Sequence, residues 1–258
     1  DASIAIAEGI SGSEETFAIE MNNLGKKIGL TGTNFLNSSG WPDDNHYTTA
    51  KDLALIARYT IEKHPELYKM YSLTDFTYNG IKQENRNPLL LTFEGSDGFK
   101  TGYTEAAGYG IVGSAERGDR RLILVLNGLE SSRSRAQESL RLMDWGFNNF
   151  ELVEFYKKNE IVFEANTWLG KNKTVNLVAA EDISVSIPKG QLSTTQIDVL
   201  VEEPVETPIL KGDLIAKLQI SYGDKKIEFP LTSGEDIEQK GFFSRITSAL
   251  YYIILGTN

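Results

Sequence analysis

Asp97-Gly98-Phe99-Lys100-Thr101-Gly102-Tyr103-Thr104 is the stretch from which the fold of this chain is read. Two β-like runs follow it, Gly108 to Ala115 and Arg121 to Asn127. The turn sequence Arg117-Gly118-Asp119-Arg120 joins those runs as a hairpin connection does. The pattern predicts Lys100 and Thr101 on a strand with another strand beside it. Alternation puts Lys100 and Gly102 on one face and Thr101 on the other; a twist or bulge beside glycine could re-aim Thr101 towards the same cleft. A lysine ammonium attracts a carboxylate as a point charge. A threonine hydroxyl adds a directed hydrogen bond, and a glycine leaves room for a ligand backbone against the strand. Together they suit an extended peptide with a free C-terminal carboxylate. Taken alone, the tripeptide more often marks an ordinary strand with an exposed lysine.

The surroundings change that weighting. Asn85-Arg86-Asn87, then Gly98-Phe99-Lys100-Thr101-Gly102, then Ala107-Gly108-Tyr109 resemble the low-molecular-mass penicillin-binding proteins, the serine D-alanyl-D-alanine carboxypeptidases. The resemblance covers essentially the whole chain. It takes in Phe76-Thr77-Tyr78-Asn79-Gly80-Ile81 upstream, Trp145-Gly146-Phe147 with Phe150-Glu151 downstream, Ile187-Pro188-Lys189-Gly190-Gln191-Leu192, and the tail Gly241-Phe242-Phe243.

Composition narrows the alternatives. The net charge of −10 argues against a nucleic-acid partner. There is no cysteine, hence no disulfide, thiolate nucleophile or cysteine-bound metal. The two histidines, His46 and His64, read as loop or helix-end residues and form no His-Glu-x-x-His pattern. Ser186-Ile187-Pro188-Lys189 fits Ser-x-x-Lys literally, but Val185 and Ile187 alternate with serines as a strand does, and the motif needs a helical turn to bring lysine onto serine. Ser96-Asp97-Gly98 lies too near Lys100 to be a Ser-Asp-Asn motif.

Along the chain, Ser13 caps a helix with Phe17, Met21, Leu24 and Ile28 on one face, ended by Gly29. Thr49 and Asp52 resemble a capping box, before a helix that buries Leu53, Ile56, Ala57, Thr60 and Ile61 and stops at Pro65. Phe76 to Tyr78 reads as a short strand before the turn Asn79-Gly80, and Lys82 to Asn87 as a polar run. A helix from Ser131 or Ser132 carries the apolar stripe Leu140, Met143, Phe147 and Phe150. Beyond Glu151 short alternating runs separated by turns predict a β-sandwich. In the tail, Phe242, Phe243, Ile246, Ala249, Leu250, Ile253 and Ile254 line one helical face, too short and amphipathic to span a bilayer and suited to lie in its surface.

The expected fold is therefore an incomplete α/β transpeptidase-like domain over residues 1–150, a small all-β sandwich over 151–236 and an amphipathic membrane-anchor helix over 237–258. Asp1 to Ala7 reads as the interior of a helix. In the family resembled, this segment follows the Ser-x-Asn motif, and Ser-x-x-Lys lies further upstream, so the chain is expected to be the C-terminal part of a longer enzyme, inactive by itself. The resemblance implies a serine-type carboxypeptidase that removes the terminal D-Ala of peptidoglycan stem peptides through an acyl-enzyme. Lys100 and Thr101 would hold the terminal carboxylate, Gly102 would let substrate lie along the strand, and the Tyr103 N–H would serve as an oxyanion donor. The family often has histidine where Tyr103 stands. Arg86 reads either as a second carboxylate contact, which its fork geometry suits, or as a solvated surface arginine. No metal or organic cofactor is expected. Expected partners are the stem peptide, β-lactam antibiotics as inhibitors and the membrane surface, in the periplasm at the inner membrane. The alternatives are a β-lactamase-like hydrolase and a membrane-tethered binding module without catalysis.

Overall fold

The computed structural model describes residues 2–241. They fall into two compact units, one ending at Asn148 and one beginning at Asn149. The first is mixed α/β and the second β-rich.

The first unit opens with α1 (Ala2–Ser11) and α2 (Glu14–Lys27). Ser13 Oγ accepts the Thr16 N–H at 3.1 Å, satisfying a donor that the helix itself cannot. Glu14 and Glu15 in the first turn and Lys26 and Lys27 in the last complement the helix dipole. Gly29, at φ +88°, then takes the left-handed turn that ends the helix. α3 (Ala50–Lys63) starts at Thr49, whose hydroxyl accepts the Asp52 N–H at 3.1 Å. The reciprocal half of a capping box is not made. The buried Asp52 carboxylate instead accepts from Thr33 Oγ1 at 2.7 Å, the Gly32 N–H at 2.8 Å and the Thr31 N–H at 3.4 Å. It therefore pins the segment before α3 rather than closing the helix start. Pro65 ends α3 and opens α4 (Pro65–Tyr68), which tightens into a 3₁₀ turn, Lys69–Ser72.

Phe76 to Tyr78 lies in β1 (Asp75–Tyr78), and the polar run after it is partly a strand, β2 (Ile81–Glu84). Asn79 and Gly80, at φ +51° and +74°, fold the chain straight back, so that Tyr78 pairs with Ile81 and Asp75 with Glu84. No apolar alternation marks β2, because every residue of this hairpin is exposed. After α5 (Leu89–Thr92) come β3 (Ser96–Thr104), β4 (Gly108–Arg117) and β5 (Arg120–Leu129), an antiparallel sheet in the order β3-β4-β5. Ile111 and Ala115 of β4 and Leu124 of β5 form a core with Met143 and Phe147 of α6 (Ser132–Asn149) and with Leu89 and Phe93. Phe150 does not continue the α6 stripe; it begins a strand. Arg120 closes the end of α6 by donating to the Gly146 and Phe147 carbonyls at 2.6 and 3.1 Å.

The second unit contains β6 (Phe150–Tyr156), β7 (Ile161–Trp168), β8 (Thr174–Ala179), β9 (Ile183–Pro188), β10 (Gln196–Leu200), β11 (Val205–Glu206), β12 (Leu214–Tyr222) and β13 (Lys225–Ser233). Six of them form a sheet in the order β10-β12-β13-β8-β7-β11, and β6 pairs with β9. One core runs through both sheets, with Leu177, Ile187, Leu218 and Leu231 fully buried. Ser186 sits in β9 between the buried Val185 and Ile187, and Lys189 lies past the strand end. Gly170 bridges Gln239, and the buried Ile237 bridges Ile209, so the unit continues through Gln239. The expected tail helix lies, from residue 242 on, outside the described residues.

The hydrogen bonds to Asp52, Thr33 first, hold its carboxyl below the ordinary aspartate value against the opposing effect of burial. A depressed carboxyl contributes stability above its unfolded pKa, near pH 4, that is lost as pH falls through the lowered folded value. Asp52→Asn should therefore speed exchange of the Gly32 amide at pH 7 and reduce the further gain in exchange susceptibility on acidification below pH 4. Unchanged protection of Gly32 at pH 7 would contradict this account.

Candidate active site

β3 is an edge strand: among the described residues it pairs with β4 and with nothing on its other side. Its register against β4 is regular over the critical residues, with Lys100 opposite Val112, Thr101 opposite Ile111, Gly102 opposite Gly110 and Tyr103 opposite Tyr109. The single irregularity lies earlier, between Ser96 and Gly98, so no bulge re-aims Thr101. A cavity of about 460 Å³ nevertheless gathers both faces, because the strand edge itself borders it. Lys100, Thr101, Gly102 and Tyr103 line it, with Leu53 and Ile56 of α3 and Met21 of α2 opposite.

Gly102 has the room that a ligand backbone requires: a side-chain carbon placed there would meet nothing within 4 Å. Gly98, four residues earlier, is the reverse case. A carbon there would stand 2.6 Å from the Tyr68 hydroxyl, so glycine at that position serves packing. The upstream half of β3 is held firmly. Asp97 accepts from the Tyr68 hydroxyl at 2.7 Å and pairs with Arg121 at 2.8 Å; Arg121 also reaches Ser114 Oγ at 2.6 Å and Glu116. Burial, with the Asp97 carboxylate beside it, raises the Tyr68 hydroxyl well above the ordinary tyrosine value, so it remains a donor to Asp97.

The downstream half is electrostatically open. Lys100 Nζ donates to the Thr101 carbonyl at 2.6 Å and has no carboxylate partner among the described residues. Burial pushes its ammonium below the ordinary lysine value, and the charges of Arg86 and Arg135 push it further the same way. Arg86 does not line the cavity, but its charge reaches both Lys100 and Arg135. Tyr103 is exposed, and its ring leans on Tyr109 at 4.4 Å between centroids. The side chain of Tyr103 makes no hydrogen bond that would give it a proton-transfer role among the described residues.

Arg135 is the residue that sequence reading passes over. It is buried in the first turns of α6, where it holds the Arg86 carbonyl at 3.4 Å and the Gly102 carbonyl at 3.5 Å, and its guanidinium lies 5.6 Å from the Tyr109 ring. Its Nε has no partner among the described residues. A signal did exist: Arg133 and Arg135 begin a helix that has no acidic residue in its first turn, against the preference set by the helix dipole. Cations placed at the positive end of a helix invite an anion.

Residues 1–130 match the family described as D-alanyl-D-alanine carboxypeptidase, and residues 150–239 match the one described as penicillin-binding protein 5, C-terminal domain. The chain belongs to the D-alanyl-D-alanine carboxypeptidase family. It is 40% identical over 249 residues to D-alanyl-D-alanine carboxypeptidase DacC of Escherichia coli, spanning 95% of this chain and 62% of that relative's length. Penicillin binding protein 5 from Haemophilus influenzae superposes with a TM-score of 0.85 at 37% identity, covering 92% of this chain and 70% of that one. Penicillin-binding protein D2 from Listeria monocytogenes, solved in a cefotaxime-bound form, superposes with a TM-score of 0.53 at 36% identity over 57% of this chain and 61% of that one.

If Arg135 charges the pocket, replacing it with a neutral residue of similar reach should ease protonation of Lys100. In Arg135→Gln the Lys100 ammonium should titrate at higher pH than in the parent chain, while staying below an ordinary lysine because burial remains. NMR titration of the lysine side chains reads this directly; an unmoved Lys100 would contradict the electrostatic coupling.

Proposed function

We propose that this chain supplies the substrate-carboxylate site of a serine-type D-Ala-D-Ala carboxypeptidase, an enzyme that removes the terminal D-Ala from peptidoglycan stem peptides through an acyl-enzyme. The observation that carries the reading is that Lys100, on the open edge of β3, and Arg135, which donates to the Gly102 and Arg86 carbonyls, have no carboxylate partner among the described residues. A free peptide carboxylate neutralises such a site. Its backbone can extend along the β3 edge as an added strand, with Gly102 allowing close approach. Lys100 and the Thr101 hydroxyl bind the carboxylate, Arg86 and Arg135 add positive potential, and the Tyr103 N–H is one oxyanion donor for the scissile carbonyl. No residue of this chain is assigned as the nucleophile or as its activating lysine. β-Lactams acylate the complete enzyme as substrate mimics and share the carboxylate site.

In this reading the β-rich unit carries no chemistry, and the tail beyond residue 241 lays its apolar face on the periplasmic side of the inner membrane. No helix among the described residues is long and apolar enough to cross a membrane. The β-lactamase alternative gives no account of residues 150–239, whose match is to the C-terminal domain of a penicillin-binding protein.

In the complete enzyme, Lys100→Ala should lower kcat/KM for a D-Ala-D-Ala peptide by about 100-fold or more, the scale for removing one partner of a desolvated charge pair. Fold stability should change little, because Lys100 stands on an edge strand and its ammonium has no carboxylate partner among the described residues to lose. Steady-state kinetics beside a thermal melt would check both; unchanged catalytic efficiency would refute the site. Removing residues 242–258, which leaves the Gln239 bridge of the β-rich unit in place, should release the protein from vesicles and leave turnover of soluble peptides intact, and a truncated protein that still sediments with vesicles would place the anchor elsewhere.

A further inference from the structure

Arg86 and Lys100 act on one anion only if their separation is fixed, yet they sit on different segments, one beyond a fully exposed hairpin and one on an open strand edge. Arg135 links the two segments at their carbonyls, through long bonds of 3.4 Å to Arg86 and 3.5 Å to Gly102. Both are tied to the 3₁₀ turn Lys69–Ser72, and in particular to Tyr71. On the Lys100 side, the Tyr71 ring stacks on Phe99 with centroids 4.2 Å apart and planes 15° from parallel, and Tyr68 stacks on the same ring at 5.7 Å. Phe99 is the residue before Lys100. On the Arg86 side, the Asn85 side-chain amide donates to the Leu73 carbonyl at 2.9 Å and to the Tyr71 carbonyl at 3.4 Å. The Asn85 backbone N–H donates to the Thr74 carbonyl at 2.8 Å, and its side-chain oxygen accepts the Asn87 N–H at 3.0 Å. Those bonds lock the three-residue bend on which Arg86 sits.

We propose that Tyr71 is a positioning residue for the carboxylate site: its ring fixes the strand that carries Lys100, its backbone and that of Leu73 fix the bend that carries Arg86, and the turn between them sets the spacing of the two cations. This rests on reading Arg86 and Lys100 as parts of one anion site. Stacking supplies the needed stiffness, because offset aromatic pairs have a preferred distance and angle and cost little conformational entropy. The hydroxyl of Tyr71 takes no part, since it makes no hydrogen bond among the described residues. The ring alone is required at that position, which separates Tyr71 from Tyr68, whose hydroxyl holds Asp97.

The test uses the 258-residue chain and needs no substrate, so its failure is distinct from failure of the carboxypeptidase reading. NMR titration of the Lys100 ammonium is compared in four proteins: parent, Tyr71→Phe, Tyr71→Ala and Asn85→Ala. The first two should titrate alike. In Tyr71→Ala and in Asn85→Ala the Lys100 midpoint should rise toward the ordinary lysine value, as each variant loosens one side of the cation pair. Protection of the Met143 amide in α6 reports that the first unit remains folded, which a general loss of structure would not preserve. If Tyr71→Ala fails that control, Asn85→Ala decides, since Asn85 is exposed and its side chain bonds only to backbone groups of Tyr71, Leu73 and Asn87. A Lys100 midpoint unchanged in the folded Asn85→Ala protein, or displaced equally in Tyr71→Phe, overturns the proposal.

Discussion

Positive charge without a counter-charge is expensive when it is partly withdrawn from water, and the structure concentrates it at one end of one strand. Lys100 is held below its ordinary protonation range by burial and by Arg86 and Arg135. At the other end of the same strand the opposite arrangement is found: Arg121 is paired with both Asp97 and Glu116, and its guanidinium also reaches Ser114. The two ends of β3 thus separate structure from recognition. Asp97 and Phe99 anchor the strand, while the residues from Lys100 to Tyr103 present unsatisfied charge and an unpaired backbone edge. In the proposed function a ligand anion would relieve the first, and an extended ligand backbone would satisfy the second.

The surrounding elements follow from the need to hold that open edge still. Strand edges are prone to associate and to fray, and β3 is protected against fraying through contacts made upstream of the recognition residues. Leu89, Met143 and Phe147 close the opposite face of the sheet, so the strand is backed by a packed core while its edge stays free. On the cavity side, Met21, Leu53 and Ile56 leave space instead of packing tightly, and the same apolar positions that define α2 and α3 as amphipathic helices become cavity walls.

How much of this could be read from the residues depends on the range of the interaction. Caps at Ser13 and Thr49, the turn at Gly118-Asp119 and the alternation of β9 are local, and local chemistry announces them. Asp52 was misread because its hydrogen-bond partners, Thr31 to Thr33, lie about twenty positions away, and only the fold brings them to its carboxylate. β2 escaped because an exposed hairpin needs no apolar face. Phe150 was assigned to the wrong element because a helical stripe running straight into a strand leaves no break in hydrophobicity. The motif singles out Lys100, Thr101 and Gly102, and resemblance adds Tyr103 and Arg86; the structure puts Lys100 to Tyr103 along one cavity and leaves Arg86 outside its lining. Arg135 joins the site from thirty-odd residues downstream and could be suspected only from a cation at the wrong end of a helix dipole.

Carboxylate capture by the cations around Lys100 is the central claim, and the most direct measurement compares two substrates that differ in one charge. The complete enzyme is given a diacyl peptide ending in D-Ala-D-Ala and the same peptide with its C-terminal carboxylate converted to the amide, across a range of ionic strength. The account predicts that the amide loses at least about 100-fold in kcat/KM, and that added salt narrows the gap by weakening only the charged substrate. Equal efficiency toward the two peptides, at any salt concentration, would contradict it.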